Sequence, residues 1–161
     1  MSVAIARNVT AVPPKPHLGF DNVALDIVSK PAFANAPLLI LSDVQGEGAF
    51  IAEVAGGERR PGHKIERGSK ILSSSTWMGG HYRLRFATAE ELMSFLTAYP
   101  GLLVVLDTPE GTYRHVEQVR SAVAAEPDRW ELLETYPRMR SAKYADQPGD
   151  IQVLRLRKPA S

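Results

Sequence analysis

Two unbroken apolar runs organise the chain, Leu38–Leu41 in "APLLILSD" and Leu102–Leu106 in "GLLVVLDT". Pro37 and Ser42-Asp43 bound the first, and each run is followed by a turn and a stretch with helical spacing. Continuous apolar runs of this length predict strands buried on both faces. The strand–turn–helix succession predicts a parallel sheet with helices on both sides. "RWELLETYP" and "DIQVLRLRK" read as two closing strands, joined by the polar loop "RMRSAKYADQPG". That connection is too short for a crossover helix, so the two strands are expected to pair as an antiparallel edge.

The helical stretches have a different period. "GFDNVALDIVSKP" sets Phe20, Val23, Ala24, Ile27 and Val28 on one face and ends before Pro31. "GAFIAEVA" repeats the spacing with Phe50, Ile51 and Val54, and Gly56-Gly57 stops it. Thr88 and Glu91 match a capping box for a helix with Leu92, Phe95 and Leu96 inward. "TYRHVEQVRSAVAAE" turns Val116, Val119, Ala122 and Val123 inward. Between these, "GERRPG" is a turn, "HKIERGSKIL" a strand bent at Gly68, and "SSSTWMGG" a loop. "HYRLRF" alternates Tyr82, Leu84 and Phe86 against His81, Arg83 and Arg85, as a half-buried strand does. The expected architecture is a three-layer α/β sandwich with a Rossmann-like, mostly parallel sheet and an antiparallel edge hairpin at the C-terminus. Residues 1–18, with Pro13, Pro14 and Pro16, read as an extended lead-in or tether, and 19–161 as a single domain.

Composition narrows the chemistry. At 161 residues the chain can bury a core without staples. The absence of cysteine excludes thiolate catalysis, Cys-ligated zinc and disulfides. A net charge of +1 gives no global field for nucleic acid or membrane, so a basic site must be local, and no nucleic-acid partner is expected. No apolar run is long enough to span a bilayer. His17, His63, His81 and His115 lack metal-ligand spacing, so no metal or cofactor is expected.

In open parallel sheets ligands sit beyond the carboxyl ends of the strands, a position held here by "SDVQGEG" and "DTPEG". The first has Gly46 and Gly48, but Ile51 stands where a dinucleotide fingerprint needs its third glycine. Asp43 and Glu47 would repel a pyrophosphate there. With Gln45 they can instead bind hydroxyl groups or a cation, or simply cap the helix. Asp107 can act as a base or ligand, or shape the turn before Pro109. A third candidate is the basic block from Arg59 to Arg85, in which Arg60, His63 and Lys70 could hold a phosphate while Trp77 covers a ring or lipid chain. The same charges also fit a solvated face. A weaker constellation joins Ser42, Asp107 and His115 as a small hydrolase or transferase.

The succession "SDVQGEGAFIAEVA", "RPGHKIERGSKILSSSTWMG", "YRLRFATAEELMSFL", "VVLD", "RWELLETYP" and "GDIQVLRLR" resembles the soluble extracytoplasmic tail of bacterial polytopic glycosyltransferases. These are relatives of protein mannosyltransferases and aminoarabinose transferases that use polyprenyl-phosphate sugars. The resemblance implies a non-catalytic accessory domain, capping a membrane active site or holding an acceptor. It implies the membrane-embedded portion of the same polypeptide, or a membrane glycosyltransferase, as partner. It also implies an extracytoplasmic location, tethered to the inner membrane; a complete standalone gene product would instead be cytoplasmic. It carries no catalytic residue onto this chain. Three readings therefore stand: accessory domain, free-standing module for a phosphorylated or anionic small molecule, and small hydrolase or transferase.

Overall fold

The computed structural model describes residues 18–59, 62–76, 80–107, 113–139 and 149–157. The proline-rich lead-in before Leu18 lies outside them. Helix α1 (Phe20–Ser29) buries Phe20, Val23, Ala24 and Ile27, the stripe its spacing predicts, and ends before Pro31. Strand β1 (Leu38–Leu41) is buried at every position. Helix α2 (Val44–Gly57) starts inside the stretch expected to be a glycine loop. Asp43 decides this, since its carboxylate accepts the Gly46 N–H at 2.6 Å and caps the first turn. A cap of this type contributes about 1 kcal/mol towards starting the helix ahead of Gly46 and Gly48.

The bent strand expected around Gly68 is two elements, β2 (Ile65–Arg67) and the single turn α3 (Gly68–Ile71). Strands β3 (Ser73–Ser74) and β4 (Arg83–Leu84) form a two-residue antiparallel ladder. The alternation in "HYRLRF" is real, with Tyr82, Leu84 and Phe86 half-buried and Arg83 and Arg85 exposed, but the short partner limits the strand. Thr88 caps α4 (Ala89–Thr97) by accepting the Glu91 N–H at 3.2 Å, and the Glu91 carboxylate accepts the Ala87 N–H at 2.8 Å. Then follow β5 (Leu103–Asp107), α5 (Arg114–Ala125), β6 (Trp130–Pro137) and β7 (Asp150–Leu156).

The main sheet has the order β2-β1-β5-β7-β6. β1 pairs in parallel with β2 and β5, while β7 is antiparallel to both β5 and β6. Only β7 therefore runs against the other four strands, and the sheet is mostly parallel as expected. The C-terminal hairpin is also present, but the last strand enters beside β5 and leaves β6 at the edge. Leu38, Ile40, Leu103, Val105, Ile151 and Val153 face α1 and α2. Leu39, Leu41, Val104, Leu106, Leu154 and Leu156 face α4 and α5. This is a three-layer α/β sandwich with two cores, one on each side of the sheet. Each wholly buried leucine or phenylalanine contributes about 1.5–3 kcal/mol to holding the layers together.

The start of α1 is bound to the end of β6. Met139 N–H donates to the Leu18 carbonyl at 3.2 Å, and Tyr136 donates its hydroxyl to Asp26 at 2.5 Å. Lys30 bridges Asp26 and Glu134 at 2.7 and 2.8 Å. Lys30, then Tyr136, hold the Asp26 carboxyl below its usual range. Gly19 is the pivot of this contact, with φ at 88°, and a Cβ there would stand 2.6 Å from the Pro137 carbonyl oxygen. Gly19→Ala is accordingly expected to cost about 1–3 kcal/mol in urea denaturation. Gly48→Ala, where a Cβ meets nothing within 4 Å, should instead stabilise α2 by about 0.5–1 kcal/mol. Equal midpoints for the two variants would refute this account of the α1–β6 junction.

Candidate functional site at the carboxyl ends of β1 and β5

β1 and β5 are neighbours in register, Leu41 beside Leu106, but the helices that follow them cover opposite faces of the sheet. The chain diverges at their carboxyl ends, and in open α/β sheets such a divergence leaves a crevice suited to ligands. The first residues past the register pair are Ser42 and Asp107, both wholly buried. The Ser42 hydroxyl donates to Asp107 Oδ2 at 2.6 Å. Arg138, immediately after β6, reaches the same oxygen with an Nη at 3.1 Å, and lies 3.7 Å from Asp43 Oδ2. Its Nε, also buried, has no protein partner among the described residues. Asp43 is the exposed member, its side chain about half open to solvent. Gly46 is required beside this group, because a Cβ on it would fall 2.0 Å from Ser42 Oγ.

One turn further along α2, Glu47 is wholly buried. Its carboxylate accepts the Ser69 N–H at 2.8 Å, the Ser69 hydroxyl at 2.5 Å and the Arg67 Nε–H at 3.0 Å. Three donors on one carboxylate offset the cost of burying its charge. Facing it from α5 is His115, whose Nε2 stands 4.0 Å from Glu47 Oε1. The Tyr82 hydroxyl accepts the His115 backbone N–H at 2.9 Å and lies 2.8 Å from Nδ1. Tyr113, about half exposed, stacks on the His115 ring with centroids 5.8 Å apart.

The residues singled out in the sequence divide sharply. Asp43, Glu47 and Asp107 gather around the first turn of α2, while Gln45 sits on its exposed face. His63 is structural: its Nδ1 pairs with Glu58 and its Nε2 donates to the Phe33 carbonyl at 2.9 Å, fastening the end of α2. Lys70 is exposed on α3. Arg60 and Trp77 lie outside the described residues. The described part of the basic block forms no common grip, because some of its cations have separate carboxylates and the others face solvent. Arg67 serves Glu47, and Lys64 pairs with Glu66 at 3.0 Å. Arg83 and Arg85 face solvent. Ser42 and Asp107 meet as the hydrolase constellation requires, but His115 bonds to Tyr82 and faces Glu47, so no Ser–His pair forms.

Arg138 was hidden from sequence reading inside a polar loop, and its only cue is a cation directly after a strand. Tyr82 carried the stronger cue of an inward position on an alternating segment. Among the described residues, no cluster of three or more His, Asp or Glu could hold a metal ion, and no helix is long and apolar enough to cross a membrane. The fold and site define an open-sheet α/β domain with a buried polar cluster at the strand ends. No protein-family model, curated protein or solved structure matches the chain.

Burial pushes the His115 imidazole down to about 4. In the unfolded chain a histidine titrates near about 6.5, so between these values the unfolded state takes up a proton that the folded state refuses. Stability that is complete above about pH 6.5 should therefore fall progressively as pH drops towards about 4. Thermal unfolding across this window should show the decline, and His115→Phe should flatten it. An imidazole resonance for His115 titrating near 6.5 in the folded protein would contradict this.

Proposed function

We propose that this domain is a binding module for a small, neutral, polar ligand held in the crevice at the ends of β1 and β5. The observation that carries the reading is the convergence of Ser42, Asp43, Asp107 and Arg138 from three separate parts of the chain on that one position. Buried charged pairs rarely stabilise a fold more than apolar residues of the same size would, so stability alone is a weak reason to keep one here. Arg138 offers the donor Nε–H, and Asp43 offers an acceptor at the rim. Among the described residues two carboxylates face one guanidinium there, which disfavours a phosphate and favours a group that both donates and accepts hydrogen bonds.

The binding reading suits either a free-standing module or the accessory domain implied by the resemblance to glycosyltransferase tails. In the second setting the crevice would hold part of an acceptor or sugar beside a membrane active site. The order of sequence segments supports that setting, and the genomic reading frame tests it. Hydrophobic spans encoded upstream of Met1 are expected; a frame without them would remove the accessory-domain reading and leave the module.

A thermal-shift panel of neutral sugars, sugar phosphates and nucleotides tests the binding reading directly. A neutral hydroxylated compound at about ten times its Kd should stabilise by about 1.4 kcal/mol, raising Tm by about 3–6 °C. Phosphorylated analogues should bind no better. Arg138→Lys keeps the charge but loses the planar fork, and Asp43→Asn keeps the helix cap; both should abolish the shift. A flat response across the panel, or a response that survives both substitutions, would overturn the proposal.

A further inference from the structure

Glu47 and His115 present a buried acceptor and a buried imidazole nitrogen to each other without touching. Their 4.0 Å separation is too long for a direct hydrogen bond and suits one atom bonded to both. Glu47 cannot close the distance freely, because Ser69 and Arg67 fix both of its oxygens. His115 is fixed as well. The Tyr82 oxygen accepts the His115 backbone N–H, which leaves its own proton available to donate to Nδ1. This network assigns the proton of the neutral ring to Nε2, which has no hydrogen-bond partner among the described residues and belongs to a side chain only 1% exposed.

The pair thus presents an N–H donor and a carboxylate acceptor to the same point. An atom placed there must accept from His115 and donate to Glu47. A hydroxyl does both, whether of water or of a polyol that displaces it. A carbonyl oxygen has no proton for Glu47, an ammonium group has no lone pair for Nε2–H, and an anionic phosphate oxygen would face a like charge. Beside the pair, Tyr113 stacks on the imidazole and Tyr82 lies 6.3 Å from the Tyr113 ring, centroid to centroid. Tyr113 is 46% exposed, so this aromatic group marks the solvent side from which a ligand would enter. Such a surface suits the C–H face of a saturated ring better than a free ion.

We propose that Glu47 and His115 form a hydroxyl-recognition site that takes one hydroxyl group of a sugar or cyclic polyol, with Tyr82 as the positioning residue that sets the imidazole tautomer. The inference rests on the binding reading above and gives its ligand a class and a contact atom.

Imidazole nitrogen-15 spectra of the full chain near neutral pH test it, with D-glucose, D-mannose and myo-inositol as probes and sodium sulfate as the control without a hydroxyl group. The free protein should show His115 as the Nε2–H tautomer, and Tyr82→Phe should shift the ring towards the other tautomer. At least one hydroxylated probe should move the Nε2 resonance saturably, sulfate should not, and Glu47→Gln should weaken that probe at least about tenfold. An Nδ1–H tautomer in the free protein, or an Nε2 signal that no hydroxylated probe moves, would overturn the proposal. If a probe binds in a manner sensitive to Arg138→Lys and Asp43→Asn but leaves Nε2 unmoved, the hydroxyl site fails while the binding module stands. If no probe binds by either measurement, both fall.

Discussion

The pairing of β1 with β5 is the constraint from which the rest follows. Both strands are buried on both faces, so each must be covered twice, and neither can lie at an edge of the sheet. β2 shields one side of the pair and β7 the other. The helices then divide, α1 and α2 to one face and α4 and α5 to the other. That division makes the chain diverge at the strand ends, the position where open α/β sheets hold ligands. The place where ligands are expected is thus a geometric result of satisfying two continuous apolar strands.

Near the first turn of α2 the protein buries polar groups in two sets. In one, Asp107 is held by Ser42 and Arg138. In the other, Glu47 is held by Arg67 and Ser69 and faced by His115. Ser42 at the end of β1, the Asp43 cap and the buried Glu47 follow one another within six residues, so one short segment ends a strand, starts a helix and contributes to both sets. The glycine pattern that resembles a phosphate-binding loop has a different cause. Gly46 is there because Ser42 Oγ occupies the space of a side chain, and Gly48 lies on an open helical face.

The fold was legible because its signals are local and periodic. Unbroken apolar runs at Leu38–Leu41 and Leu102–Leu106, helical stripes such as Phe20–Val23–Ile27, and the Thr88–Glu91 cap each depend on neighbours in sequence. The readings that needed change lie where a local signal competes with a partner. Asp43 extended α2 through two glycines by capping Gly46. The short β3–β4 ladder cut a six-residue alternation to a two-residue strand. The expected edge hairpin needed no change: β7 lies beside β5 within it, with Ile151 and Val153 buried on one face of the sheet and Leu154 and Leu156 on the other.

The candidate site divides along the same line. Sequence alone marked Asp43, Glu47 and Asp107, because an acidic residue after a buried strand or at a helix start has few places to go. It also established two double-sided strands, the helical layers and the absence of cysteine chemistry. It could not say which cation meets which carboxylate. Arg138 lies 31 residues after Asp107 and 95 after Asp43 in the numbering, and Tyr82 lies 33 before His115. Charges separated by such lengths of chain meet only when strand order and register are fixed. Tertiary structure therefore decided that the described basic block disperses between separate carboxylates and solvent, that Arg138 completes the strand-end group, and that His115 turns to Tyr82 and Glu47. The physical reason is that hydrophobic periodicity is written residue by residue, whereas a buried charge is matched by whichever partner the packed sheet brings within a few ångströms.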